Sequence, residues 1–304
     1  MFMPQTMQSL YNVPLAVHDN IGLMLASSAM NRLDIHARVR GRHDLGEADG
    51  RQALASLAAL NGAPMTAGPT WRPYEMTDSG IAIIRVNGML VRSCDIWDMI
   101  FGGVTSYEAV WNQILFAQDD AQCRGIFMVV NSWGGIVDGL VDLADGIAAL
   151  SARNGGKPIF GMAADFAYSA AYTLLSACDN CYVPETGGVG SAAVIIVTLD
   201  VTGAMEQQGV SANIFRSLDR KAIGIDGVEA MDDEAKQHMQ QKVETVGAVL
   251  TRKIASYRSP LTQNAISGMR GLDYTGTAAK AIGLVTDVAS EPEALAKLER
   301  RIAR

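Results

Sequence analysis

From Ile81 onward the chain alternates short, β-branched apolar runs with segments of helical period, an order few architectures accept. Ile81-Ala82-Ile83-Ile84-Arg85-Val86 reads as a strand ended by Asn87-Gly88. Tyr107 to Gln118 reads as a helix and Gly125 to Val130 as a buried strand. Val137 to Leu150 follows as a helix, with Leu140, Val141, Ala144 and Ile147 near a 3.6-residue period. Pro158 to Met162 is the next strand, Tyr168 to Cys178 a helix and Asn180 to Val183 a short strand. Val194–Leu199, Val201–Gln208 and Asn213–Arg216 continue the alternation, and Asp232 to Tyr257 is a long helix. Strand, helix, strand with short connections implies a parallel sheet covered by crossover helices, so the expected class is α/β. Sites in such sheets gather beyond the carboxyl ends of the strands. Gly134-Gly135 and Ser169 both fall just past expected strand ends.

The chain ahead of this pattern differs. Residues 1 to about 65 read as mainly helical, with candidates at Ile21–Arg32 and Arg51–Leu60. Gly62 to Pro73 is the densest cluster of Gly and Pro in the chain and reads as a linker. The expected division is a helical N-terminal extension with linker, residues 1–75, and a second domain, residues 76–304.

Composition narrows the function. A net charge of −7 with 49% hydrophobic residues describes a soluble globular protein and argues against a general nucleic-acid binder. The basic stretch from Arg32 to His43 reads as a solvated face ahead of a nucleic-acid contact. Four cysteines are too few for a disulfide framework, and Cys178-Asp179-Asn180-Cys181 lacks two further zinc ligands. Core thiols in a reducing compartment are expected, with no metal or other cofactor. No apolar stretch approaches the roughly 18 residues of a spanning helix. A cytoplasmic protein, not a membrane one, is the expectation.

The chemistry centres on Ser169, in Ala167-Tyr168-Ser169-Ala170-Ala171-Tyr172, a small-residue turn into a helix. A serine hydroxyl needs a base. Three of the four histidines, His18, His36 and His43, lie ahead of the linker, and His238 lies on the long helix, so a Ser-His-Asp triad would have to recruit one across the structure. Lys221 is the alternative base, 52 residues after Ser169. At its ordinary pKa only about 0.04% of a lysine is neutral at pH 7, so the role requires desolvation. Taken locally, Lys221 beside Arg220 and Asp219 reads more simply as a surface lysine. Gly134 and Gly135 can expose backbone N–H groups, which with the N–H of Ala170 could hold an oxyanion. Ser191, in Gly187-Gly188-Val189-Gly190-Ser191, could orient a lysine amine or serve as a turn serine.

In this order the residues resemble the Ser-Lys signal peptide peptidase A family, with its Clp protease/crotonase fold. The family's Ser-Pro-Gly-Gly stands as Ser132-Trp133-Gly134-Gly135, and its Gly-Ser-Ile-Gly-Val as Gly190-Ser191-Ala192-Ala193-Val194. The closing signature stands as Tyr274-Thr275-Gly276-Thr277-Ala278 and Gly283-Leu284-Val285-Thr286-Asp287. The resemblance covers about residues 81–288 and moves Lys221 from surface residue to base. Trp133 and Ala192-Ala193 depart from the family pattern.

The resemblance implies a repeating β-β-α superhelix and a serine peptidase. Ser169 would be its nucleophile, Lys221 its base, Gly135, Ala170 and Gly134 its oxyanion donors, and Ser191 the orienting residue. Among soluble members the chain looks most like the phage head-maturation (prohead) proteases. That branch implies capsid, scaffold or portal proteins as substrates, a homo-oligomer, and work in the host cytoplasm or the assembling prohead. The alternatives are a soluble bacterial protease degrading residual peptides, an idle crotonase-fold scaffold subunit, and an acyl-CoA enzyme of the same fold.

Overall fold

The computed structural model describes the backbone of residues 15–17 and, in full, residues 72–94 and 103–303. The two candidate helices of the N-terminal extension, and most of that extension, lie outside the described residues. In chain order the first elements are β1 (Leu15–Val17), β2 (Glu75–Met76), β3 (Ile81–Val91), β4 (Val104–Ser106) and α1 (Tyr107–Asp119). Next come β5 (Gly125–Ile136), α2 (Leu140–Ala149), β6 (Ile159–Tyr168), α3 (Ala170–Ala177), β7 (Asn180–Val183) and β8 (Gly188–Gly190). The remainder is α4 (Thr202–Gln207), α5 (Asp233–Tyr257), α6 (Gln263–Gly268), β9 (Asp273–Thr275), α7 (Gly276–Ala281), β10 (Asp287–Val288) and α8 (Glu291–Ile302).

The strands join in one mixed sheet whose main path runs β10-β7-β6-β5-β3-β2. From β3 through β5, β6 and β7 to β10 every pairing is parallel, as the strand–helix alternation requires, and β2 closes one edge antiparallel. The α/β class with a parallel-rich sheet is therefore the observed one. Alternate residues of the central strands face opposite layers. Ala82, Ile84, Ile126, Met128 and Val130 pack toward α1, α2, α3 and α5, while Ile81, Ile83, Phe127 and Val129 pack toward Ala294 and Leu298 of α8. Phe127 is fully buried, and removing such a ring from water is worth about 3 kcal/mol. The start of α8 is fixed by a capping box, with the Ser290 N–H donating to Glu293 Oε2 at 2.8 Å.

Several strands depart from the expected bounds. β3 does not stop at Asn87-Gly88; it shifts register there and continues to Val91. β5 likewise runs through Gly134-Gly135, because Met89 and Leu90 pair with those glycines. The glycines are thus part of a strand end, not a turn beyond it. β6 extends to Tyr168, so no loop intervenes between strand and Ser169. Val194–Leu199 and Asn213–Arg216 are not strands; apart from an isolated bridge at Ile195 they are irregular. Val197, Leu199, Phe215 and Leu218 are exposed, whereas Ile195 packs against Val91, Val104 and Ile136. Cys178 and Cys181 are free and buried, and burial pushes the Cys178 thiol up, consistent with inert core thiols.

Candidate active site

β6 delivers the chain directly into Ser169, and α3 begins at the next residue. This sharp change of direction forces Ser169 to φ 56° and ψ −115°, a left-handed conformation disfavoured for a residue with a β-carbon. The conformation is held on several sides. Its N–H donates to Gly190 O at 2.7 Å, and its carbonyl accepts from the Thr173 N–H at 3.0 Å. Thr173 Oγ1 also donates to that carbonyl, at 3.1 Å. A buried serine in a strained elbow between a parallel strand and a helix is a functional-site signature. Ala170 and Ala171 are fully buried, which explains the small residues around the serine: larger side chains would have no room against the core.

The hydroxyl itself donates to Ala193 O at 3.3 Å. Ala193 lies in the Ala192-Ala193 pair that departs from the family pattern, and nothing in the sequence marked its carbonyl as a partner. The segment before it is anchored by β8, which runs parallel to the end of β6 with Tyr168 opposite Gly190. A β-carbon at Gly188 would lie 2.0 Å from the Tyr168 hydroxyl, so any larger residue there requires the Tyr168 ring to shift. Ser191 is buried at φ 52°, and its N–H donates to Leu272 O at 3.0 Å.

At the end of β5, Gly134 adopts φ 108° and its N–H donates to Ser132 Oγ at 3.0 Å. The fully buried Ser132 thus fixes the backbone at Gly134 in the strand end, a role its place in the sequence motif did not reveal. Gly135 lies so close to β3 that a β-carbon would sit 1.8 Å from Leu90 O. The buried Tyr107 hydroxyl donates to Ile136 O at 2.7 Å and pins the strand end from the α1 side. Tyr107 is a second positioning residue that sequence reasoning missed. The Ala170 N–H is a first-turn donor of α3, with no acceptor available in its own helix. An aromatic wall stands beside the serine: Trp133 lies 4.0 Å from Phe166, and Phe166 stacks on Tyr168 at 5.4 Å, centroid to centroid.

Lys221 is placed differently. It lies in a run of turns and is exposed, and no hydrogen bond joins it to Ser169 or Ser191. Its backbone is nevertheless fixed. Arg216 Nε donates to Lys221 O at 2.6 Å, and the Arg216 guanidinium pairs with Glu229. Arg220 forks onto Asp232, the N-cap of α5, at 2.7 and 2.9 Å. Phe215, 95% exposed, and Leu218, 72% exposed, flank the same loop. His238 lies on α5, and the other three histidines fall outside the described residues.

Comparison with known proteins bears on this site. The Head-tail preconnector protein GP5 of Enterobacteria phage P21 is 30% identical over 224 residues, covering 74% of this chain and 43% of that protein. The Capsid assembly protease C of Escherichia phage lambda is 27% identical over 248 residues, covering 81% of this chain and 54% of its own. The chain thus spans about half the length of these curated relatives. Among solved structures, an enoyl-CoA hydratase/isomerase family member matches at a TM-score of 0.41 with 15% identity, over 75% of this chain and 74% of its own. The model of Peptidase family S49 matches residues 151–303, half of the chain, a span that holds Ser169, Ser191 and Lys221. The chain belongs to peptidase family S49.

Proposed function

We propose that the protein is a serine endopeptidase that cleaves head proteins during phage capsid assembly. The observation that carries this reading is Ser169, buried and left-handed at the β6–α3 elbow, inside the segment matched by the family. Ser169 Oγ leaves the Ala193 carbonyl and attacks the scissile carbonyl, passing its proton to the Lys221 amine. The N–H groups of Ala170 and Gly135 take the resulting oxyanion, each donor worth about 3 kcal/mol of transition-state stabilisation. Gly134, whose N–H already serves Ser132, shapes the strand end. Collapse of the intermediate returns the proton to the leaving amine, and water then cleaves the acyl-enzyme with Lys221 again as base. Ser191 orients the amine.

Lys221 reaches that position through association of copies of the chain. A lysine base needs a desolvated setting, which an exposed loop does not supply. The loop belongs to the stretch that leaves Val197, Leu199, Val210, Phe215 and Leu218 uncovered, an apolar surface of the kind a second copy buries. In this reading the Lys221 of one copy serves the Ser169 of its neighbour, and the domain of residues 76–304 forms the homo-oligomer, with residues 1–75 as its extension. Work on head proteins, in the host cytoplasm or the growing prohead, is supported by the names of the two phage relatives.

Co-expression with neighbouring capsid, scaffold and portal proteins tests the reading, with new termini mapped by mass spectrometry. Cleavage by the wild type that is lost in Ser169→Ala and Lys221→Ala is the expected result. Cleavage surviving Ser169→Ala overturns it. The exposure of Lys221 also favours a second reading, a non-catalytic subunit, which predicts no cleavage by any of the three.

A further inference from the structure

β5 has two edges at Gly134–Ile136, and both are occupied. One pairs with β3, through Met89 opposite Gly134 and Leu90 opposite Gly135. The other belongs to β6 only as far as Ser132, which pairs with Ala167; β6, whose far edge pairs with β8, ends at Tyr168, where the chain turns into α3. The edge that β6 vacates is taken by β1 of the same chain, antiparallel, with Leu15 opposite Ile136, Ala16 opposite Gly135 and Val17 opposite Gly134. A strand edge left open beside a nucleophile is where an extended peptide adds by backbone pairing.

We propose that residues 15–17 occupy the strand-addition site of this enzyme, so that its own N-terminal segment competes with incoming polypeptide for the edge of β5 at Gly134–Ile136. This rests on the proposed peptidase function for its consequence, though not for its geometry. Covalent attachment raises the effective concentration of the segment at that edge well above that of a free peptide. Substrate therefore binds only the fraction of molecules in which β1 has left, and its apparent affinity falls by that fraction. The partner recognised is an extended polypeptide backbone. Side-chain selection is left to neighbours such as Trp133 and Phe166.

The test uses the full chain carrying Ser169→Ala, to prevent turnover, with and without Ala16→Pro. Proline removes a backbone N–H and fixes φ, which breaks strand pairing at that residue. The probe is a fluorescein-labelled peptide with the sequence from Tyr11 to Ile21, its binding read by anisotropy. If β1 fills the edge in about nine molecules of ten, the proline variant binds the probe about tenfold more tightly. Equal affinity, or no binding to either protein, overturns the proposal. Hydrogen exchange on the unmodified chain gives a second readout that needs no variant: those amides of residues 15–17 that point toward β5 are expected to be protected, and exchange of all three at the rate of an unstructured peptide overturns it. Probe binding that responds to Ala16→Pro, together with no cleavage by the wild type, would instead count against the peptidase reading alone.

Discussion

The Ser169 hydroxyl is held by the Ala193 carbonyl at 3.3 Å and not by Lys221. A carbonyl accepts the hydroxyl's hydrogen bond but cannot take its proton, so within one chain the proposed nucleophile is placed and not activated. Backbone strain and the family match converge on the serine, while Lys221, the proposed base, lies on an exposed loop.

The strain at Ser169 has a measurable stability cost. Glycine at this position relieves a left-handed conformation but adds freedom to the unfolded chain, leaving a net gain of about 1 kcal/mol. Ser169→Gly is expected to raise the urea midpoint, whereas Ser169→Ala, which keeps the β-carbon, is not. Equal midpoints for the two variants would mean that the elbow carries no strain.

Gly135→Ala is expected to be severe. Its β-carbon would lie 1.8 Å from Leu90 O, so β3 and β5 must separate at the strand end. Denaturant titration is expected to show a loss of about 3 kcal/mol or more, with activity abolished.

Tyr107→Phe removes the donor to Ile136 O and leaves that buried carbonyl unpaired. A cost of about 1–3 kcal/mol is expected from equilibrium unfolding. Because the bond pins the strand end beside Gly135, peptide hydrolysis is expected to fall as well, mainly in kcat.

Asp120 gives an acid-side signature. Hydrogen bonding from Arg72 at 2.5 Å, with help from the Gln122 N–H and Tyr74, holds its carboxyl down to about 2 from an ordinary value of 3.8. A carboxylate whose folded pKa is depressed stabilises the fold above its unfolded pKa and loses that contribution as pH falls through the folded value. Asp120→Asn is therefore expected to lower stability at pH 7 and to flatten its decline between about pH 4 and pH 2. Thermal melts across that range check it, and an unchanged slope would contradict the assignment.

Much of the central sheet was legible because β-branched runs such as Ile81–Val86 and Gly125–Val130 have no other way to bury both faces. Ser169 was legible for a related reason, since small residues flank a serine at the point where a strand meets a helix. The continuation of β5 through Gly134-Gly135 was not, because two glycines read as a turn when the strand they approach is unknown. Val194–Leu199 and Asn213–Arg216 carry strand-like apolar composition, yet Val197, Leu199, Ile214 and Phe215 are exposed. Apolar composition alone does not say whether a segment joins a sheet. Lys221 differs: spacing and resemblance name the residue, but neither gives its surroundings, an exposed run of turns. The pairing of β1 with β5 was invisible, because three residues far from their partner carry no local periodicity.

Purified wild type, Ser169→Ala, Lys221→Ala and an equimolar, co-refolded mixture of the two variants, assayed on one cleavable head protein, test the central claim most directly. The wild type is expected to cut, each variant alone to be silent, and the mixture to recover about a quarter of wild-type activity, since random association pairs an intact Ser169 with an intact Lys221 at that frequency. A silent mixture of folded, associated variants would contradict the sharing of the dyad between copies, and cleavage by Ser169→Ala alone would contradict the account at its root.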